Sequence, residues 1–107
     1  MTEQQFLDAC DSILTAIEDG LDEADIDVDA QRSGNVLTVE FADKSKIIVN
    51  GNTPLREMWI AARSGGFHYR LVAQRWIDGR SGDEFYAALS ALISAQANAT
   101  VNIAPRD

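Results

Sequence analysis

Apolar residues recur every three or four positions near the start of the chain, which is the spacing of one face of an α-helix. This stripe predicts a helix over residues 3–23 and consists of Phe6, Cys10, Ile13, Leu14, Ile17 and Leu21. Gly20 falls in the last predicted turn, where a glycine weakens a helix. A second stripe, Phe85, Leu89, Leu92 and Ile93, predicts a helix over residues 83–97. Ser81 or Asp83 is the expected N-cap of that helix.

Between the two helices the period changes to two, which is the spacing of half-buried β-strands. Short segments separated by turn residues predict strands over 25–30, 36–41, 46–50, 56–62, 67–72 and 75–77, and an extended segment over 98–103. Consecutive strands joined by tight turns indicate an antiparallel sheet. We therefore predict an α+β fold, a two-layer sandwich with both terminal helices packed on one face of an antiparallel sheet of about six strands.

The bulk properties fit one small domain. The chain has 107 residues, 46% of them hydrophobic, which suits a single domain over residues 1–107 with one core. No apolar run is long enough for a membrane span, and the N-terminus lacks the features of a secretory signal. The single cysteine, Cys10, excludes an internal disulfide and fits a reducing compartment. We therefore expect a cytoplasmic protein in which Cys10 is a small buried side chain.

Charge is unevenly distributed along the chain. The first 31 residues carry ten acidic side chains and no lysine or arginine, about −10, whereas the remainder carries about +2 of a total of −8. Such an acidic surface argues against nucleic acid as a ligand, because phosphates need cationic side chains. It favours metal ions or a basic protein partner instead.

Seven of these acids form what we call the acidic ridge: Glu18, Asp19, Asp22, Glu23, Asp25, Asp27 and Asp29. The simplest interpretation is a solubility surface. Against it, the ridge contains like-charge pairs four residues apart near a helix C-terminus, where the dipole favours cations. Its three aspartates from Asp25 onward also occupy a predicted strand, which aspartate disfavours.

Clustered carboxylates are hard oxygen ligands, which suit Ca²⁺, Mg²⁺, Mn²⁺ and iron ions. No histidine accompanies them, and the one nearby cysteine lies on the apolar helix face, so we expect no closed tetrahedral zinc site. We predict weak, water-rich metal binding shared among several carboxylates. Selectivity should be poor, so that other divalent cations substitute for one another.

Specific sequence motifs accompany the ridge. They are LTVEF at 37–41, SKIIVN at 45–50, TPL at 53–55, MWIA at 58–61, SGGFHY at 64–69, and Trp76 followed by DGRSG at 78–82. With these motifs and the acidic segment 18–29, the chain resembles the frataxin family, and its bacterial CyaY branch most closely, over nearly its whole length. The resemblance implies the frataxin-like sandwich in α-β-α order.

The resemblance also implies a function: a non-enzymatic, iron-binding regulator of iron–sulfur cluster assembly. It implies that Fe²⁺ and Fe³⁺ bind the ridge, and that the protein docks on a cysteine desulfurase near the site of the cluster scaffold protein. The implied partner contacts are Asp11, Asp19, Asp22, Glu23, Trp59, Asn50 and Asn52. We expect a monomer, with metal-dependent oligomers as the alternative. Two residues depart from the family pattern: Glu57 stands where glutamine is frequent, and Arg70 where an acid or a neutral residue is expected.

The aromatic residues of the sheet have alternative interpretations. Alternation alone favours Trp59 as a core residue, whereas the resemblance implies that it stands exposed on the open sheet face as a partner contact. His68 alternates with Phe67 and Tyr69 and should face solvent, and a lone histidine is more often an ordinary surface residue than a ligand. Trp76 is expected in the core.

Three functions compete on the sequence alone. One is the iron-binding regulator of cluster assembly. Another is a pure protein-interaction module whose acids serve a basic partner, with metal binding incidental. The third is an enzyme such as a ferroxidase, which would need a bridged di-iron site with Glu-x-x-His motifs. The sequence contains no such motif and no Ser/His/Asp or Cys/His constellation, so we predict that the protein is not an enzyme.

Overall fold

The computed structural model describes residues 1–106, which form two helices and one sheet. Helix α1 spans Glu3–Ala24 and helix α2 spans Phe85–Ala97. The strands are β1 Val28–Ser33, β2 Val36–Phe41, β3 Lys46–Asn52, β4 Glu57–Ala62, β5 Gly65–Val72 and β6 Arg75–Asp78. They form a six-stranded sheet in the order β1-β2-β3-β4-β5-β6, with every neighbouring pair antiparallel. The predicted α+β sandwich is thus confirmed.

One face of the sheet carries the core. Burial alternates along β2 and β3, so that every second side chain is buried and the other set faces away from the helices. The buried set meets the apolar stripes of α1 and α2 in a single cluster that includes Phe6, Leu14, Ile17, Leu37, Val49, Ile60, Tyr69, Phe85 and Leu89. Both helices therefore cover the same face, and the opposite face, here called the open face, is left to solvent.

Two core predictions are confirmed. Trp76 is 7% exposed and meets Phe6 edge to face, with ring centroids 6.1 Å apart. Cys10 is fully buried, and its burial raises the pKa of the thiol to about 11. A thiol that stays protonated in an apolar core is an unreactive packing group.

The boundary between α1 and β1 differs from the prediction. The predicted strand over 25–30 is wrong at its start, because α1 continues to Ala24 and Asp25 caps it in the left-handed conformation, with φ 53° and ψ 47°. Aspartate tolerates this conformation better than most residues. Strand β1 begins only at Val28. Of the three aspartates assigned to a strand, only Asp29 lies in one.

The start of α2 also differs. Its N-cap is Glu84, not Ser81 or Asp83, and the Glu84 carboxylate accepts hydrogen bonds from the backbone N–H groups of Tyr86 and Ala87 at 2.8 and 3.1 Å. Such bonds satisfy the free donors of a first helical turn. No helix within residues 1–106 has the length and apolarity that crossing a membrane requires.

The segment after α2 forms no strand and is held by side chains. The hydroxyl of Ser90 donates to the carbonyl of Ile103 and accepts from its N–H, at 3.2 and 2.8 Å. The hydroxyl of Ser94 does the same with Val101, at 3.1 and 2.9 Å. Gly20 is buried beneath this segment, because a Cβ at that position would lie 2.7 Å from Cδ1 of Ile103. The lack of a side chain at Gly20 thus lets the segment after α2 pack closely against α1.

Candidate metal and partner surfaces

The acidic ridge surrounds the junction between α1 and β1. Glu18, Asp22 and Asp25 line a groove of about 260 Å³. The rest of its lining is mainly apolar and consists of Leu21, Ile26, Val28 and Ala30. Asp19 and Glu23 are exposed on the same last turns of α1. Five of the seven ridge acids therefore gather at the C-terminal end of this helix.

The other two ridge acids, Asp27 and Asp29, lie apart from these five. They line a second groove, of about 250 Å³, together with Glu40 and Lys44. Asp29 is the register partner of Glu40, which places two like charges directly across the strands. Since Ala30 lines the groove beside α1, its neighbour Asp29 points to the open face. The ridge thus bends around the edge strand.

Arginine side chains reach the ridge from elsewhere in the chain. Arg32 forms ion pairs with Asp11 and with Glu18, the latter at 3.1 Å, and donates to the hydroxyl of Thr15 at 3.1 Å. Arg106 pairs with Glu23. These contacts, which the sequence analysis missed, commit Asp11 and two ridge acids to internal partners. Five ridge acids carry no ion pair within residues 1–106 and are open to a ligand: Asp19, Asp22, Asp25, Asp27 and Asp29.

The ridge is not a preformed metal cage. Over residues 1–106, no three or more His, Cys, Asp or Glu side chains are close enough together to hold a metal ion. An ion could be met there by one or two carboxylates and complete its shell with water, as hard cations do when few protein ligands are available. Asp22 and Asp25 share a groove and are the best placed for this.

Trp59 stands on the open face of the sheet. Its register partners are Asn50 on β3 and His68 on β5. Its indole stacks on the His68 imidazole, with centroids 4.3 Å apart and planes 9° from parallel. The core interpretation of Trp59 is wrong, because Met58 and Ile60 take the buried positions of β4 and alternation places Trp59 on the other side. His68 is exposed, as predicted.

A buried acid supports this stacked pair. Glu57 is only 6% exposed although it shares the open face with Trp59. Its carboxylate accepts hydrogen bonds from Nε1 of Trp59 at 2.8 Å and from Nε of Arg70 at 3.0 Å, and Nδ1 of His68 lies 3.7 Å away. The bond from Trp59 first, and then Arg70 and His68, hold the pKa of Glu57 below its usual value.

Glu57 and Arg70, the two residues that depart from the family pattern, are therefore partners across β4 and β5. Alternation in the sequence already places Glu57 and Trp59 on one face of β4, and His68 and Arg70 on one face of β5. Only the strand register, however, places the acid opposite the base.

Two asparagines complete the open-face set. Asn50 lies beside Trp59, and Asn52 is the register partner of Glu57. The side-chain Oδ1 of Asn52 accepts a hydrogen bond from the backbone N–H of Leu55 at 3.0 Å and closes the turn before β4. The structure thus brings Trp59, Asn50 and Asn52 together. It separates them from the acids of α1, which lie on the other side of the sheet.

Known proteins resemble this chain in both sequence and structure. The Frataxin-like domain model matches residues 1–99. The iron-sulfur cluster assembly protein CyaY of Paraburkholderia phymatum is 51% identical over 105 residues, covering 98% of this chain and 100% of that protein. Frataxin from Psychromonas ingrahamii, of the CyaY protein family, has a TM-score of 0.89 and 39% identity over 95% of this chain and 97% of its own.

Trimeric frataxin from the yeast Saccharomyces cerevisiae, complexed with ferrous iron, shares the fold. Its TM-score is 0.72 at 23% identity, over 83% of this chain and 85% of its own. The family model and the close bacterial relative both extend over nearly all of the described sheet and both helices. The chain belongs to the frataxin family, as its sequence resemblance predicted.

Proposed function

We propose that this protein is a non-enzymatic regulator of iron–sulfur cluster assembly in the cytoplasm. It binds Fe²⁺ or Fe³⁺ weakly on the acidic ridge and docks on a cysteine desulfurase. The observation that carries the proposal is the groove at the end of α1, which Glu18, Asp22 and Asp25 line. The name of the CyaY relative and the ferrous complex of yeast frataxin support it.

Iron would be held as a loosely bound cargo. Asp22 and Asp25 supply carboxylate oxygens in the groove, Asp19 lies nearby on α1, and water completes the coordination shell. The guanidinium of Arg32 competes with the metal for Glu18. An ion held by so few protein ligands exchanges readily, which is what delivery to a partner requires.

Docking would use two surfaces. The ridge steers association with a basic patch on the desulfurase, and Trp59 with Asn50 and Asn52 makes a second contact. Because β1 lies between these surfaces, a single partner has to extend around the edge of the sheet. Alternatively, the desulfurase takes the ridge and the cluster scaffold protein takes the open face.

A second candidate is the pure interaction module. The observation that favours it is the internal pairing of Asp11 and Glu18 with Arg32 and of Glu23 with Arg106, which leaves fewer carboxylates for metal. Anaerobic titration with Fe²⁺, followed by calorimetry, separates the two candidates. Iron binding at the ridge is supported if the heat of Fe²⁺ binding is lost in the double variant Asp22→Asn with Asp25→Asn but persists in the control variant Asp8→Asn. No heat at millimolar metal leaves the interaction module alone.

The docking half of the proposal has its own test, which measures binding kinetics to the purified desulfurase. Charge reversal of Asp19 and Asp22 to lysine should slow association and flatten its salt dependence. Trp59→Ala should mainly accelerate dissociation, by a factor that corresponds to about 2 kcal/mol if Trp59 is a hot spot. If charge reversal leaves binding intact, the ridge serves metal only. If Trp59→Ala has no effect, the open face is not part of this interface.

A further inference from the structure

The exposed apolar side chains of this protein gather at one end of the molecule. In residues 1–106 the exposed large hydrophobic residues are Met1, Leu55, Leu71 and Val72. The first three line one groove of about 290 Å³, together with Arg56 and Arg70, and Val72 follows Leu71 directly. We call Leu55, Arg56, Arg70, Leu71 and Val72 the apolar–arginine patch. Contiguous exposed apolar surface of this kind marks interaction sites more often than isolated exposed residues do.

The two arginines of the patch have donors to spare. Arg70 gives its Nε to Glu57, and its side chain remains 75% exposed, so the contact fixes the guanidinium while leaving its terminal nitrogens available. Arg56 gives one terminal nitrogen to the carbonyl of Thr53. Its Nε is buried and out of a partner's reach, so the other terminal nitrogen is the donor that Arg56 offers. A fixed arginine fork with free donors fits a carboxylate.

The patch lies far from the acidic ridge and has the opposite sign. The groove of the patch includes Met1, just before the start of α1. The groove of the ridge is instead lined by residues in the last turns of that helix. Helix α1 has 22 residues, a length of about 33 Å. Within residues 1–106, no acid lines the groove of the patch. A partner can therefore occupy the patch without touching the ridge.

We propose that the apolar–arginine patch binds an acidic amphipathic segment of a partner protein, independently of iron and of the acidic ridge. Carboxylates of the segment would pair with Arg56 and Arg70, and its apolar side chains would cover Leu55, Leu71 and Val72. A basic segment is disfavoured by charge. The ridge of a second copy supplies the charge, but it carries no exposed large apolar residue within the described chain that could cover the leucines.

The test uses the isotope-labelled full chain and a synthetic peptide with leucine and glutamate at helical spacing. Amide shifts should appear at residues 55–56 and 70–72. A matched peptide with glutamine in place of glutamate should bind about tenfold more weakly or worse. The double variant Leu55→Ser with Leu71→Ser, which removes no side-chain hydrogen bond of the fold, should lose binding, as should Arg70→Gln. The control Arg75→Gln changes an exposed arginine outside the groove and should bind normally.

Other outcomes overturn the proposal. If the glutamine peptide binds as tightly as the glutamate peptide, the patch does not recognise the negative charge of its ligand. Shifts confined to other residues, or binding that survives the double leucine variant, place the site elsewhere. If the protein instead self-associates in sedimentation and Arg70→Gln abolishes it, the occupant is a second copy. None of these results depends on whether the ridge binds iron.

Discussion

The guanidinium of Arg32 lies 3.1 Å from a carboxylate oxygen of Glu18, so the first basic residue of the chain folds back onto the acidic helix. The same guanidinium also holds Asp11. Like-charge spacing alone suggests that neutralising Glu18 together with Asp22 stabilises the fold. Because Glu18 is paired with Arg32, neutralising Glu18 is no longer expected to raise the free energy of unfolding. Neutralising the unpaired Asp22 is still expected to raise it.

Neutralising the unpaired acids should therefore stabilise the protein, and neutralising the paired one should not. Asp22→Asn removes a charge near the negative end of α1 and should raise the free energy of unfolding by a few tenths of a kcal/mol at low salt. Glu18→Gln should leave it unchanged or lower it by up to about 1 kcal/mol. Urea unfolding at low and high salt measures both, and the difference should shrink as salt is added. A clear gain from Glu18→Gln would show that the pair with Arg32 does not form in solution.

Removing Arg32 should strengthen metal binding. Arg32→Gln frees the carboxylates of Asp11 and Glu18 and removes a positive charge beside the groove, which should raise Mn²⁺ affinity about two- to fivefold. Calorimetric titration measures this. Arg63→Gln is the matched control, because Arg63 is an exposed arginine that pairs with Asp43, outside the lining of the ridge groove. Equal affinities in all three proteins would mean that Glu18 takes no part in the site.

The open-face cluster should make stability depend on pH in the acid range. The pKa of Glu57 is lowered from 4.5, chiefly by the hydrogen bond from Trp59. A depressed carboxyl pKa contributes stability that is present above about pH 4.5 and is lost as pH falls through the folded-state value. Glu57→Gln should therefore flatten the decline of unfolding free energy below about pH 4.5. Parallel declines in the variant and the parent would show that the carboxylate contacts are not maintained.

Gly20 should not tolerate a methyl group. Alanine is the better helix former by about 1 kcal/mol, yet its Cβ would meet Cδ1 of Ile103 at 2.7 Å. Because Ile103 is only 2% exposed, this terminal carbon has little room to move aside, and such overpacking costs about 1–3 kcal/mol. We expect Gly20→Ala to lower the melting temperature. Adding Ile103→Val deletes the clashing carbon and should recover part of the loss. Gly79→Ala is the control, since no atom of residues 1–106 lies within 4 Å of a Cβ there.

Local patterns in the sequence were sufficient for most of the fold. Alternation in β2 and the apolar stripe of α1 are decided by which side chains must be buried, and both appear where predicted. The start of β1 was misplaced because Asp25, Asp27 and Asp29 continue the alternation, while the competing preference of aspartate for a left-handed helix cap decided the structure. The sequence indicates Gly20 only as a weak point of α1. Its packing role is invisible there because Ile103, which lies against it, is distant in sequence.

The candidate sites depended more on long-range register. The acids could be found from composition, but the return of Arg32 to α1 and the pairing of Glu57 with Arg70 follow from strand order. Trp59 shows the same limit. A tryptophan in an alternating strand fits either face, and only the burial of Met58 and Ile60 decides which face it takes.

The central claim is that metal binds the unpaired acids at the end of α1. Paramagnetic broadening of amide signals by Mn²⁺ at sub-stoichiometric amounts tests it most directly. Signals of residues 19–27 should disappear first, those of Asp8 and of the apolar–arginine patch should persist, and Asp22→Asn with Asp25→Asn should abolish the selective loss. Uniform broadening over the whole surface, or broadening centred on the open face, would contradict the claim.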